Sequence, residues 1–524
     1  MLSAAPEARP IWQLIEHQSA LRGNAVFLRF AGRELTYGSL AERVRTAAAA
    51  LRARGLEPHQ RVLVMMPNHP EHVVVYLALA WIGCVIIEVS IHLKRSGIQL
   101  QIEDAKPHAI IVDQAFLTET QSALAMAGVR LPVLVRDAEP GLRSHDSALD
   151  ITNGRGRPEH PEERSLDAVH AISYTSGTTG RPKGVVMTER FFQVGAKNAG
   201  ILADVRPSDI LFLWEPFYHV AGWMSVLISL QHGVPIAMVE RFSATQCWQQ
   251  IRESGATLFH YLGGAMNLLL KQPPRPDDAD NPVRIAWGAA APAGSWRAFE
   301  RRFGVTVREG YGISEAQNFT HMNLEGRVGS IGVPVEEFDA WIADEAGRRA
   351  GPDEIGEIVV KPKDPRVIMR GYFRDDAKTG EVLRDGCVHT GDLGYVDREG
   401  YFYYAGRKKD SLRRRGENVS AWEVERVINA HPAVSESAVI GVPSEMGEQD
   451  IRAFVKLADG MAAAPLDLVR WCEKHLAYYQ IPRYIDFVDD FPRGPTQRIR
   501  KDELPAGTAA AWDLEQSGYK LTRM

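Results

Sequence analysis

The segment Tyr174-Thr175-Ser176-Gly177-Thr178-Thr179-Gly180-Arg181-Pro182-Lys183-Gly184 concentrates three glycines, four Ser/Thr hydroxyls and a lysine within eleven residues. Glycine permits positive φ and close backbone approach to a ligand. Consecutive N–H groups in such a turn form an anion-binding nest. The hydroxyls add donors and Lys183 adds a positive charge, so the segment has the chemistry of a phosphate cradle. It is not a Walker A loop, because the lysine stands three residues after Gly180 and is followed by glycine.

Other chemistry-bearing clusters follow in order. They are Pro216-Phe217-Tyr218-His219, Gly288-Ala289-Ala290-Ala291-Pro292, Tyr311-Gly312-Ile313-Ser314-Glu315, Thr390-Gly391-Asp392 and Gly406-Arg407-Lys408-Lys409-Asp410. Taken singly, Glu315 is as good a helix cap as a metal ligand, and Asp392 is as good a turn residue as a ribose acceptor. From Arg407 to Arg415, six residues in nine are basic.

The elements that must position these residues are legible as alternating patterns. The run Ala168–Ile172 predicts a strand leading into the phosphate loop. Ser39–Arg54 has helical apolar spacing and stops at Gly55. Arg61–Met66 predicts a buried strand ended by Pro67, Glu71–Trp81 a helix, and Cys84–Ile87 and Ala109–Val112 further strands. Such alternation argues for an α/β architecture with largely parallel sheets. Residues 136–166 are polar and rich in Gly and Pro, as a surface excursion would be. The character changes again after Gly406, where Trp422–Ile428 predicts a helix and residues 434–495 predict short strands with one helix. The expected organisation is a large N-terminal domain, residues 1–408, with parallel-type sheets flanked by helices. A small α+β domain, residues 409–524, would follow.

Composition narrows the class. A chain of 524 residues exceeds what one core normally fills. Its net charge of −5 supplies no basic field for nucleic acid. The apolar run from Val73 to Ile87 falls short of the roughly 20 residues of a membrane span. The N-terminus lacks the features of a secretion signal, and four scattered cysteines suit a reducing, cytoplasmic setting.

Taken together in this order, the clusters resemble those of the adenylate-forming superfamily: acyl-CoA synthetases, peptide-synthetase adenylation domains and beetle luciferases. The Arg413-Arg414-Arg415-Gly416-Glu417-Asn418 run is similar to that of crotonobetaine and carnitine CoA ligases. The resemblance implies an acyl-CoA thioester made from a carboxylic acid, ATP and CoA through an acyl-adenylate, with AMP formed. By the same resemblance Thr175, Ser176, Gly177, Thr178, Thr179, Gly180 and Lys183 cradle phosphates, and Glu315 holds Mg²⁺. Ser314 meets the α-phosphate, and Tyr311 with Gly312 faces the adenine opposite the backbone of Ala290, Ala291 and Pro292. Asp392 and Arg407 take the ribose. His219 falls beside the acyl carboxylate, although its apolar neighbours equally suit a core histidine. Trp223, Gly263, Gly264, Trp287 and Gly288 fall at the acyl pocket, with a core role the nearest alternative for Gly263, Gly264 and Trp287. Lys409 matches the hinge about which the small domain rotates between half-reactions. Arg415, Gly416 and Glu417 then face the pantetheine tunnel, and the basic run suits the phosphates of CoA.

One departure stands out. The family's closing loop carries a Gly-Lys pair whose lysine grips the carboxylate and α-phosphate. Here the loop runs Pro492-Arg493-Gly494-Pro495-Thr496-Gln497-Arg498, with Arg498 at the lysine position and Gln497 at the glycine. Guanidinium is a broad planar fork where ammonium is a compact point charge. The expectation is impaired adenylation with thioesterification retained, a separate adenylating enzyme supplying the adenylate. The alternatives are a complete two-step ligase, a luciferase-like oxygenase, an adenylating enzyme for a carrier protein, or a non-catalytic acyl-adenylate binder.

Overall fold

The computed structural model describes residues 5–136, 161, 165–175, 183–408, 411–414, 417–444, 449–476, 478–493 and 499–521. Its internal contacts divide the chain into two compact units. One takes residues 1–339 and 360–388, the other residues 340–359 and 389–524.

In the first unit, one sheet orders its strands Val133–Arg136, Ala109–Asp113, Arg61–Met65, Val85–Glu88, Val169–Thr175 and Lys183–Thr188. All neighbours are parallel except the last pair, which is an antiparallel hairpin with Thr175 opposite Lys183. The phosphate segment is therefore the connection of that hairpin. The helices Tyr37–Ala53 and Pro70–Trp81 begin within two residues of the predicted positions. Thr36 caps the first by accepting from the Ser39 amide, and proline at the first turn starts the second. Val73 to Ala80 are all buried, which explains their uniform apolarity. Among the described residues no helix is long and apolar enough to cross a membrane.

A second sheet in this unit aligns Thr306–Ile313, Ile285–Ala289, Leu258–Leu262, Leu211–Leu213, Ile236–Met238 and Val26–Phe30 in parallel. Gln317–Asn323 adds antiparallel beside Thr306–Ile313. Alternation along Leu258–Leu262 sends Phe259 and Tyr261 into a core with Trp248, Phe299 and Phe303. The motif residues 216–219, 288–292 and 311–315 lie at or just beyond the carboxyl ends of these parallel strands, where α/β sheets bind ligands.

The second unit contains the hairpin Ser411–Arg414/Glu417–Ser420, the helix Ala421–Asn429 and a four-stranded sheet. That sheet is ordered Val434–Pro443, Gln449–Leu457, Tyr484–Phe487 and Trp512–Asp513. Leu412, Val424, Ile428, Val439, Ile451 and Leu468 are part of its core. Strands Cys387–Val396 and Phe402–Arg407 pair with Asp392 opposite Arg407.

Candidate active site

The phosphate hairpin and the proposed metal carboxylate are joined by a segment that the motifs do not mark. Residues 370–373 line the edge of the hairpin: the Val186 amide donates to Gly371 O at 3.0 Å and the Phe373 amide to Gly184 O at 2.7 Å. This pairing turns Tyr372 inward, where its hydroxyl donates to Glu315 Oε1 at 2.7 Å. The Met369 amide anchors the Glu315 backbone carbonyl at 3.0 Å. The ammonium of Lys183 sits 5.3 Å from the centre of the Tyr372 ring. Burial, with the Glu315 charge second, pushes the Tyr372 phenol well above its ordinary range, so its proton stays in place to be donated. Lys183, Tyr372 and Glu315 therefore form one group. Tyr372 has no motif of its own; only long-range pairing brings it there.

Glu315 fits the part of a magnesium ligand by its chemistry. A nucleotide-borne Mg²⁺ takes one or two carboxylates and draws other ligands from phosphate and water. Among the described residues, no group of three or more His, Cys, Asp or Glu side chains forms an all-protein cage. A single oriented carboxylate suits an ion that arrives with its nucleotide.

The residues expected to face adenine lie on adjacent strand ends. Tyr311 is nearly buried and meets His321 edge-on at 5.6 Å. Ala290 has φ +64°, a left-handed conformation that costs a non-glycine residue about 1–2 kcal/mol. Ser314 and Gly312 are half-buried beside Glu315 in the chain.

Two of the glycines expected at the acyl pocket, Gly263 and Gly288, are also demanded by backbone packing. A Cβ on Gly263 would lie 1.9 Å from Ala290 O, and one on Gly288 1.9 Å from Tyr261 O. Both are glycine because backbone passes too close for any side chain, so they set strand-end spacing before they line anything. Gly264 is exposed at the start of the next helix. Trp287 is buried against the His260 ring, centroids 4.5 Å apart, and His260 Nδ1 bonds Glu215. Trp223, expected at the acyl pocket, is packed among aromatic rings. Its ring is only 2% exposed and stacks on Tyr76 at 3.3 Å and Phe217 at 4.3 Å. His219 caps the helix Val220–His232 in sequence, with Nε2 buried and without a hydrogen-bond partner among the described residues, and burial holds its imidazole down at about 4. It is therefore neutral at physiological pH.

In the second unit, Arg407 Nε lies 3.0 Å from Asp392 Oδ1, so the two ribose candidates are directly paired. Asp392 is 3% exposed. Arg414 corrects the reading of the basic run as a single phosphate-binding cluster. Its guanidinium is 2% exposed, donates to Asp450 at 3.0 Å and also bonds the Ile481 carbonyl. It is internal, and cannot reach a ligand phosphate. Glu417 lies on the strand opposite Arg414. Ser176, Gly177, Thr178, Thr179, Gly180, Lys409, Arg415, Gly416 and Arg498 lie outside the described residues. Lys501, three residues after Arg498 in sequence, is held by Glu425 at 2.6 Å.

This fold and these motifs define a class: the chain belongs to the AMP-binding enzyme family. The family's description fits residues 15–373, and that of its C-terminal domain fits residues 423–498. The chain is a member of the adenylate-forming acyl-CoA ligases. It is 31% identical to a sulfoacetate–CoA ligase of Cupriavidus necator, over 90% of this chain and 92% of that one. It is 29% identical to a crotonobetaine/carnitine–CoA ligase of Proteus mirabilis, over 90% and 93%. Among solved structures it resembles ATP-bound MatB from Rhodopseudomonas palustris, with a TM-score of 0.83, 26% identity and 94% and 97% coverage. The fold is also that of a benzoate CoA ligase from Burkholderia xenovorans, with a TM-score of 0.85, 24% identity and 94% and 99% coverage. Ligases of this superfamily use ATP and CoA.

Proposed function

We propose that the protein forms an acyl-CoA thioester and that its adenylation half-reaction is the weaker of the two. In adenylation, the acid's carboxylate oxygen attacks the α-phosphorus and pyrophosphate leaves. Thr175 to Gly180 and Lys183 hold the phosphates and Ser314 meets the α-phosphate, while Glu315 would hold a Mg²⁺ whose charge would offset that of the phosphates. Tyr311 and Gly312, opposite Ala290, Ala291 and Pro292, hold adenine, while Asp392 and Arg407 take the ribose. In the second step the CoA thiol attacks the adenylate carbonyl and AMP leaves. Neutral His219 stands beside the carbonyl, and Gly263, Gly264, Trp287 and Gly288 border the acyl group. The small domain, from residue 409, turns about Lys409 between the steps and presents Arg415, Gly416 and Glu417 to CoA.

The observation that carries the imbalance is Arg498 at the position of the family's catalytic lysine. Nearby replacement is disfavoured, since Lys501 is engaged with Glu425. A displacement of about 1 Å in a closed site costs around a hundredfold in rate. A separate adenylating enzyme in the cytoplasm would then supply the adenylate. The test is pyrophosphate release from acid and ATP without CoA, set beside CoA-dependent discharge of a synthetic acyl-adenylate. Slow release with fast discharge is expected. A complete ligase is the second reading, favoured by the retained phosphate segment.

A further inference from the structure

Glu309 lies inside the first unit, 4% exposed, where three strand ends meet. The Tyr261 hydroxyl donates to Oε2 at 2.5 Å. The Ala291 amide points between the two carboxylate oxygens, 3.2 Å from Oε1 and 3.1 Å from Oε2. The Ala290 amide contributes as well. Ala290 is left-handed, and consecutive amides around such a residue form a concave anion nest. Here the group in the nest is the protein's own carboxyl. Burial pushes the Glu309 carboxyl up to about 8, while Tyr261 and the two amides pull the other way.

The loop is confined from a second side as well. Ala290 O occupies the space that a Cβ on Gly263 would take, and Tyr261 O fills that of Gly288. Glu309 also shares its strand, and by alternation its face, with Tyr311. One carboxylate thus ties the Leu258–Leu262 strand and the Ala290–Pro292 loop to the strand that bears Tyr311. A carboxyl at this depth must be hydrogen-bonded, and the partners it draws on are the Tyr261 hydroxyl and the amides of the Ala290–Pro292 loop.

We propose that Glu309 is a positioning residue for the nucleotide: it clamps the Ala290–Pro292 loop to the Tyr311 strand and so fixes the width of the adenine slot. This rests on the assignment of that loop and Tyr311 to adenine in the proposed function.

The test uses the full chain as wild type, Glu309→Ala, Glu309→Gln and the milder Tyr261→Phe. Hydrogen exchange at the Ala291 amide reads the clamp, and equilibrium binding of AMP and of CoA reads its purpose. Glu309→Ala is expected to speed Ala291 exchange and weaken AMP binding by about tenfold each, with CoA affinity within about twofold. Glu309→Gln, which keeps an acceptor oxygen, should hold AMP within about threefold, and Tyr261→Phe should fall between. Unchanged exchange in both Glu309→Ala and Tyr261→Phe overturns the clamp. Faster exchange with unchanged AMP affinity, or equal losses for AMP and CoA, overturns the nucleotide role. A wild-type chain that binds no AMP rejects the functional reading, while exchange still decides the clamp.

Discussion

Tyr372 and Glu315, 57 residues apart in the chain, meet in a 2.7 Å hydrogen bond beneath the Lys183 ammonium. The phenol fixes one oxygen of the carboxylate assigned to Mg²⁺, so orientation is set before any nucleotide arrives. Hydrogen bonds to charged groups contribute about 1.5–3 kcal/mol, or roughly tenfold and upward. Tyr372→Phe should raise the Mg²⁺ concentration for half-maximal ATP binding by about tenfold. Discharge of a supplied adenylate to CoA should change by less than about twofold, as that step needs no pyrophosphate site. Titration of ATP binding with Mg²⁺ checks it.

The Asp392–Arg407 pair gives a second expectation. Asp392 is buried and faces Arg407 across the strand pair at 3.0 Å. Asp392→Asn keeps the shape and removes the charge that would accept from ribose hydroxyls. AMP affinity should fall by about tenfold or more, and 2′-deoxy-AMP, which lacks one of those hydroxyls, should lose less than AMP does. Equal losses for both nucleotides would remove Asp392 from the ribose site.

His219 makes a pH-dependent prediction. Burial lowers its folded value to about 4 from an ordinary 6.5. Between those values the unfolded chain binds more protons than the folded one, so stability rises with pH. Its contribution is complete above about pH 6.5 and is lost as pH falls toward 4. The Tm advantage of wild type over His219→Asn should therefore be smaller at pH 4.5 than at pH 7.5. A difference independent of pH would mean that the imidazole is not desolvated.

Arg414 separates structure from ligand binding within the basic run. Removing one partner of a buried ion pair costs about 3–5 kcal/mol. Asp450 retains Arg483 at 3.0 Å, which places Arg414→Met near the lower figure, about 3 kcal/mol. Chemical denaturation should show that loss, with CoA affinity of the folded fraction unchanged. Weaker CoA binding at full stability would return Arg414 to the ligand.

The sequence announced the alternation of strands and helices because apolar period and turn residues are local properties. It announced Lys183, Tyr311, Glu315 and Asp392 because each sits in a dense local motif. Tyr372 stayed hidden, since its role comes from edge pairing with a hairpin more than 180 residues earlier, at Val185. Glu309 stands two residues from Tyr311 and still escaped notice, because its partners come from another strand and from the Ala290–Pro292 loop. Arg414 looked like a surface cation; only its meeting with Asp450, 36 residues away, makes it internal. Gly263 and Gly288 signalled space in the sequence, whereas the space is already filled by backbone oxygens.

The central claim rests on Arg498, and Arg498→Lys tests it most directly. Pyrophosphate released from acid and ATP, without CoA, should rise by about tenfold to a hundredfold over wild type, while CoA-dependent discharge of a preformed acyl-adenylate stays within about twofold. Wild-type pyrophosphate release as fast as that discharge, or a lysine variant that gains nothing, would contradict the account and leave an ordinary two-step ligase.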